Sequence, residues 1–135
     1  MQYTWIMTAA LFALLAAASQ AESDERFDRD VAPILLERCV SCHNANDRSG
    51  GLDLSTQDGL LAGGSSGAVI TPGDPEASYL LDRIEHGEMP PPQRGEPERL
   101  PVEEQEQLRR WIEQGASWSE GRVLDLFETT SATRA

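Results

Sequence analysis

The sequence predicts an all-α protein with long loops rich in glycine and proline. Apolar residues recur at helical spacing in several short segments, and no segment alternates apolar and polar residues as a strand would. Many of the eleven glycines and eight prolines lie between those segments, where they indicate turns and loops. The length of 135 residues is typical of one domain.

The charge of the chain excludes two classes of partner. Eleven basic residues, all of them arginine, face 23 acidic residues, and the formal net charge is −12. A nucleic-acid binder needs a basic surface for the phosphates, so we expect no nucleic-acid partner. For the same reason the chain is a poor ligand for anionic lipid surfaces.

Residues 1–21 have the pattern of a secretory signal peptide. An apolar run from Trp5 to Ala18 precedes the small residues Ser19 and Ala21, which are typical of a cleavage site, although no Lys or Arg precedes the run. The alternative is an uncleaved membrane anchor, since about 20 residues can span a bilayer. We predict cleavage after Ala21, no membrane span in the mature chain, and a periplasmic or otherwise exported protein.

The first two helices are predicted in the residues that follow. Phe27, Val31, Ile34 and Leu35 lie at the spacing of one helical face, which predicts a helix near residues 26–38, beginning at Asp30 or bent at Pro33. Residues 44–53 have the composition of turns. A short helix is expected over residues 55–61, ended by the glycines at 63 and 64.

Two further helices follow a glycine-rich loop. Asp74-Pro75-Glu76 has the composition of a helix start and predicts a helix to about Glu85, with Gly87 ending it. An extended proline-rich loop over residues 87–101 leads to the last clear helix, which begins at Pro101 and is closed by Gly115. Residues 119–135 are predicted to be a tail after a domain that covers residues 22–118.

Cys39-Val40-Ser41-Cys42-His43 reads C-x-x-C-H, the attachment signature of c-type haem. Two sulfurs one helical turn apart can reach the two vinyl groups of one porphyrin, and His43 then becomes the proximal iron ligand. Two alternatives stay open at this point. The cysteines could form a disulfide or a redox-active dithiol, or they could bind zinc together with His43 and His86.

The candidates for a second iron ligand are the methionine and histidine residues that remain after residue 21. After removal of residues 1–21, Met89 is the one remaining methionine, and His43 and His86 are the histidines. Three prolines follow Met89 and restrict the backbone that would hold it against a metal. Ligation by Met and His also suits an electron carrier, because it raises the reduction potential. We favour Met89 as the distal ligand, with His86 or an open position as the alternatives.

From about Phe27 to Trp118 the sequence resembles the planctomycete-type cytochrome c domain. The matching stretches include Val31-Ala32-Pro33-Ile34-Leu35, the haem motif, Gly50-Gly51-Leu52-Asp53-Leu54, Gly63-Gly64-Ser65-Ser66-Gly67, Pro72-Gly73-Asp74-Pro75, Ser78-Tyr79-Leu80-Leu81, Met89-Pro90-Pro91 and Leu108-Arg109-Arg110-Trp111-Ile112-Glu113-Gln114-Gly115-Ala116. The resemblance implies a small cytochrome c-like helical domain, with its loops wrapped around one covalent haem. It also implies one haem c with iron held by His43 and Met89.

The expected function is one-electron transfer through Fe(II)/Fe(III) haem, without enzymatic activity of the chain itself. The acidic surface favours a redox partner protein with a basic docking face. The alternative is a haem-based ligand-binding or sensor module of a larger exported protein, in which Met89 leaves the iron. Arg48 and Arg94 are candidate partners for the haem propionates. Because the exported chain would keep only five aromatic residues, we expect the haem to supply part of the core.

Overall fold

The described part of the chain is built from helices and connecting loops. The computed structural model describes residues 3–92, 95 and 98–127. Its elements are α1 (Tyr3–Arg26), a π-helical segment (Phe27–Val31), α2 (Ala32–Arg38), a 3₁₀ turn (Ser49–Gly51), α3 (Gln57–Ala62), α4 (Tyr79–Glu85) and α5 (Val102–Glu113). Within those residues there is no strand, and two isolated β-bridges join single residue pairs. The predicted all-α class is confirmed.

The predicted helix over residues 26–38 is present as the end of a longer helical run. Helix α1 continues directly into the π-helical segment and then into α2, which has Pro33 in its first turn. A proline at position 33 cannot donate to the carbonyl of Arg29, and its ring crowds that carbonyl. The wider turn of the π-helical segment accommodates this defect immediately before the proline.

Residues 9–22 of α1 do not contribute side chains to the core. Residues 9–22 are exposed, including the large apolar side chains of Leu11, Phe12, Leu14 and Leu15. No helix in the described part of the chain has both the length and the apolarity needed to cross a bilayer. The buried structure therefore begins near residue 27, where the π-helical segment starts.

Three aromatic side chains form the centre of the core. Phe27 is buried, and its ring centroid lies 4.3 Å from that of Trp118 and 6.1 Å from that of Trp111. The two indole N–H groups donate to the carbonyls of Arg122 and Ser117, respectively. Tilted rings at these separations attract each other beyond the apolar area that they bury. Three of the five aromatics expected in the exported chain thus build a core from side chains alone.

Helix α3 begins and ends as its sequence predicts, to within two residues. The Thr56 side chain accepts a hydrogen bond from the Gly59 N–H at 3.1 Å, which satisfies one free amide of the first turn. At the other end, Gly63 has φ +74°, a left-handed conformation that glycine adopts without strain. These two caps define a helix of only six residues.

Helix α4 begins later than the sequence predicts. Asp74 caps a tight turn, since its carboxylate accepts from the Ala77 N–H at 3.1 Å. The turn does not continue as a helix because Ser78 is extended, and its buried hydroxyl donates to the Asp74 carbonyl at 2.8 Å. The prediction of a helix start at residue 74 is therefore wrong, and α4 starts at Tyr79.

Helix α5 contacts both α4 and the π-helical segment. Its buried face includes Leu108, Trp111 and Ile112. Arg38, the last residue of α2, donates two hydrogen bonds of 3.1 Å to the carboxylate of Glu104 on α5. This contact joins the end of α2 to α5 immediately before Cys39.

The chain after Trp118 remains in contact with the helices. The Ser119 hydroxyl donates to the Asp24 carbonyl at 3.0 Å, and the Arg122 guanidinium donates to the Asp28 carboxylate at 3.2 Å. Leu124 is buried in the core. Residues 119–122 therefore lie against the junction of α1 and the π-helical segment, and the Leu124 N–H donates to the Ser55 carbonyl at 2.8 Å.

Candidate functional site

The two cysteines and His43 lie in the turns that follow α2. Cys39 takes up the end of the helix, and its N–H donates to the Leu35 carbonyl at 3.0 Å. The N–H groups of Cys42 and His43 then donate to the Cys39 carbonyl at 3.2 and 3.0 Å. This tight turn holds the two thiols and the imidazole on one short stretch of backbone.

Asn44, which the sequence analysis did not single out, fixes this turn from outside. Its side-chain amide donates to the Val40 carbonyl at 2.7 Å. Its side-chain oxygen accepts from the N–H groups of Asn46 and Asp47 at 2.9 and 2.8 Å. The signal for this role is present in the sequence, because asparagine commonly forms such turns with the residues that follow it.

His43 has a nitrogen atom without a partner. Its Nδ1 is buried and forms no hydrogen bond with any group in the described part of the chain. A buried polar atom left unpaired costs about 1–3 kcal/mol, and such an atom in a native structure calls for an explanation. A bound group in contact with the imidazole would supply such a partner.

Met89 is positioned by the end of α4. Gly87 follows the helix with φ +68°, and its N–H donates to the Ile84 carbonyl at 3.0 Å. The Arg83 carbonyl accepts from the N–H of Glu88 at 2.9 Å and from the N–H of Met89 at 3.2 Å. The first two bonds are those of a Schellman motif, which reverses the chain after a helix.

One cleft brings the four predicted site residues together. Cys39, Cys42, His43 and Met89 all line a cleft of about 270 Å³. Its other lining side chains are mainly apolar, and they include Leu52, Leu54, Val69, Leu80, Ile84, Pro90, Pro91 and Leu100. Such a mainly apolar cleft with a few convergent polar groups is the usual form of a cofactor site.

The donor set in this cleft suits haem. Two thiols can form thioethers, and an imidazole and a thioether sulfur are common axial ligands of haem iron. The cysteines are not joined in a disulfide. Burial raises the pKa of the Cys39 thiol to about 12, whereas a redox-active cysteine typically has a lowered pKa. The residues present therefore fit a covalently bound haem better than a dithiol centre.

His86 lies away from the cleft. Its side chain is exposed, and its Nδ1 lies 2.8 Å from the Asp82 carbonyl and 3.3 Å from the Asp82 carboxylate. It is not among the residues that line the cleft. Across the described residues, no three His, Cys, Asp or Glu side chains are placed to hold a metal ion together, so the zinc alternative has no site there.

The arginines at the cleft are not those that the sequence suggested. Arg48 does not line it, and its guanidinium lies 3.8 Å from the Asp53 carboxylate. Arg94 lies outside the described residues. Arg38 and Arg83 line the cleft instead. Nothing in the sequence distinguishes them from other surface arginines, apart from the position of Arg38 directly before Cys39 and of Arg83 six residues before Met89.

The comparisons with known proteins agree with this geometry. The family model described as Planctomycete cytochrome C matches residues 39–93, which include the C-x-x-C-H motif and Met89. No curated protein and no solved structure matches the chain. A cytochrome c domain indicates a haem-based electron carrier rather than an enzyme. The match supports the resemblance seen in the sequence: residues 39–93 of this chain are similar to the planctomycete cytochrome C family.

Proposed function

We propose that the protein is an exported mono-haem c-type cytochrome that transfers one electron at a time. Cys39 and Cys42 would attach the haem through two thioethers, His43 would be the proximal iron ligand and Met89 the distal one. The observation that carries this proposal is the single apolar cleft lined by all four side chains. When bound, haem iron supplies reversible exchange of one electron between Fe(III) and Fe(II).

The protein groups around the cleft would tune and protect that centre. The leucine, valine and isoleucine side chains that line the cleft exclude water and lower the local dielectric. Among the described residues nothing competes for Nδ1 of His43 by a hydrogen bond, so its ring is available to bind a metal or to donate to a bound group. Met89 is 40% exposed and can be reached from the cleft without disturbing the core.

The partner we propose is a redox protein with a basic docking face. Carboxylates surround the two arginines that line the cleft: Glu37, Glu98 and Glu104 lie within 3.8 Å of Arg38, and Glu88 pairs with Arg83. With the net charge of −12, this arrangement favours approach of a basic surface. Electron-transfer rates with such a partner should fall as the ionic strength rises.

Export would follow cleavage of the signal peptide after Ala21. Residues 9–22 of α1 are exposed, so their removal takes no side chain from the core. The mature chain would comprise the cytochrome c domain over residues 22–118 and the segment 119–135. Amino-terminal sequencing of the exported protein should begin at Glu22, and a retained Met1 would contradict this part of the proposal.

An optical and extraction experiment tests the cofactor. The protein would be produced together with a haem-attachment system, then denatured and extracted with acidified solvent. We expect the pigment to stay with the polypeptide, and to be absent from a Cys39→Ala, Cys42→Ala double variant. Complete release of the pigment from the wild type, or its absence, would refute covalent attachment.

The distal ligand is tested by the weak near-infrared band of Met–Fe(III) and by carbon monoxide. We expect the wild type to show the band and its reduced form to resist carbon monoxide. Met89→Ala should lose the band and bind carbon monoxide, whereas the matched control His86→Ala should behave as the wild type. Ready binding of carbon monoxide to the wild type would favour the alternative of a ligand-binding module.

A further inference from the structure

We propose that Arg83 is a positioning residue that holds the Met89 loop closed through Glu88, and so sets how readily an external ligand displaces Met89. This inference rests on the proposed role of Met89 as the distal ligand. It concerns the loop that starts at Gly87 and carries Met89 along the edge of the cleft. Neither the C-x-x-C-H motif nor the family match assigns a role to Arg83.

The side chain of Arg83 links the helix to the loop. Its guanidinium donates to the Glu88 carboxylate and to the Tyr79 hydroxyl, and its Cζ lies 4.6 Å from the centroid of the Tyr79 ring. Tyr79 begins α4 and Arg83 lies one turn further along it. The guanidinium is therefore fixed on a helix by an aromatic face and a hydroxyl, and Glu88 is attached to that fixed group.

The backbone of Arg83 also holds the loop that carries Met89. The Arg83 carbonyl accepts from the N–H groups of Glu88 and Met89, at 2.9 and 3.2 Å. Arg83 thus holds Glu88 by its main chain and by its side chain, and Met89 is the next residue. Movement of Met89 out of the cleft would have to break these contacts or carry Glu88 with it.

This arrangement matters because Met89 is the exposed member of the site. Its side chain is 40% exposed, whereas Cys39, Cys42 and His43 are half-buried in the turns after α2. A ligand that competes for the distal position binds in proportion to the fraction of molecules in which Met89 has left it. Loosening the loop should therefore tighten the apparent binding of a competing ligand.

Imidazole binding to the ferric protein measures the fraction of molecules in which Met89 has left the distal position. Arg83→Gln and Glu88→Gln should each tighten the apparent imidazole affinity by roughly fivefold, which is what loss of a partly exposed ion pair would give. Both should weaken the near-infrared Met–Fe(III) band and lower the reduction potential. Because the two residues act as one contact, the double variant should show little further change beyond either single variant.

Arg109→Gln is the matched control. Arg109 on α5 pairs with Glu76 and Glu85, so this variant also removes an arginine with two carboxylate partners, but it leaves the contacts of Arg83 with Tyr79, Glu88 and Met89 in place. Its imidazole affinity and band should equal those of the wild type. Circular dichroism of all variants should be that of a folded helical protein, and Glu88→Gln keeps the test valid if an Arg83 variant fails to fold.

Three results would overturn the inference. An effect of Arg83→Gln with none of Glu88→Gln would show that Arg83 acts on another group, such as a haem propionate. Wild-type affinity in both variants would show that the contact does not hold the loop. Absence of the near-infrared band from the wild type would overturn the Met89 assignment and the role of Arg83 together, whereas the first two results leave the proposed function intact.

Discussion

Replacement of Gly87 by alanine should destabilise the protein and loosen Met89 at the same time. Gly87 has φ +68°, and a residue with a Cβ atom pays roughly 1–2 kcal/mol for this left-handed conformation. An added Cβ would lie 3.2 Å from Cζ of Arg99, a long side chain that can move aside, so the backbone accounts for most of the cost. We therefore expect the free energy of unfolding to fall by about 1–2 kcal/mol.

The matched control is Gly121→Ala. Gly121 also has φ +68°, and no atom lies within 4 Å of the position of an added Cβ. Denaturant unfolding of the haem-loaded protein, followed by far-ultraviolet circular dichroism, should give both variants a similar loss of stability. Only Gly87→Ala should weaken the near-infrared Met–Fe(III) band. Gly87→Asn should recover part of the stability, because asparagine tolerates this conformation.

Two results would refute this reasoning. A loss below about 0.5 kcal/mol for Gly87→Ala is the size of an ordinary surface substitution, and it would show that the left-handed turn does not govern stability there. An equal weakening of the band in Gly87→Ala and Gly121→Ala would show that Met89 responds to global stability. In that case the turn after α4 would have no specific influence on Met89.

Three further substitutions test the core, a helix cap and an ion pair. Phe27→Ala should lower the free energy of unfolding by about 3–5 kcal/mol, because the ring is buried against two tryptophans. Phe127→Ala is the control: its side chain is 79% exposed, and the free energy of unfolding should change by less than about 0.5 kcal/mol. Thr56→Ala should cost about 1 kcal/mol in the same denaturant experiment, because it leaves the Gly59 amide without its acceptor. The hydrogen bond from Arg29 holds the pKa of Asp30 below its usual value of 3.8. The Arg29–Asp30 pair therefore stabilises the folded protein above pH 3.8. This stabilisation is lost as the pH falls through the lower pKa of Asp30 in the folded state. Asp30→Asn should therefore be slightly less stable than the wild type at pH 7, and the difference should shrink as the pH falls below 3.8. A difference that does not change with pH would contradict the linkage.

The site residues that are neighbours in the sequence could be predicted from it. Cys39, Cys42 and His43 are nearly contiguous, so their grouping requires only one turn of backbone. Met89 could be selected because the chain offers few other ligands for iron after residue 21. Met89 comes 50 residues after Cys39 in the chain. The packing of α4 brings it to the same cleft as the cysteines, and this could only be seen in the structure.

The parts that depend on a change of chain direction could not be predicted. Asp74 and Pro75 begin a tight turn as readily as a helix, and the buried hydroxyl of Ser78 decides between the two. Arg83 looks like an ordinary helix-surface residue until the turn at Gly87 brings Glu88 back to it. In each case the deciding contact joins groups whose positions a linear pattern does not specify.

Residues 119–122 contact the end of α1 and the start of the π-helical segment, and this has a consequence for how the module can be used. Ser119 lies against Asp24 and Arg122 against Asp28, so the two points where the chain enters and leaves the helical body are neighbours. None of these four residues lines the cleft that contains Met89. The module could therefore be inserted into a surface loop of a host protein through two short linkers, with the cleft that contains Met89 still open to solvent.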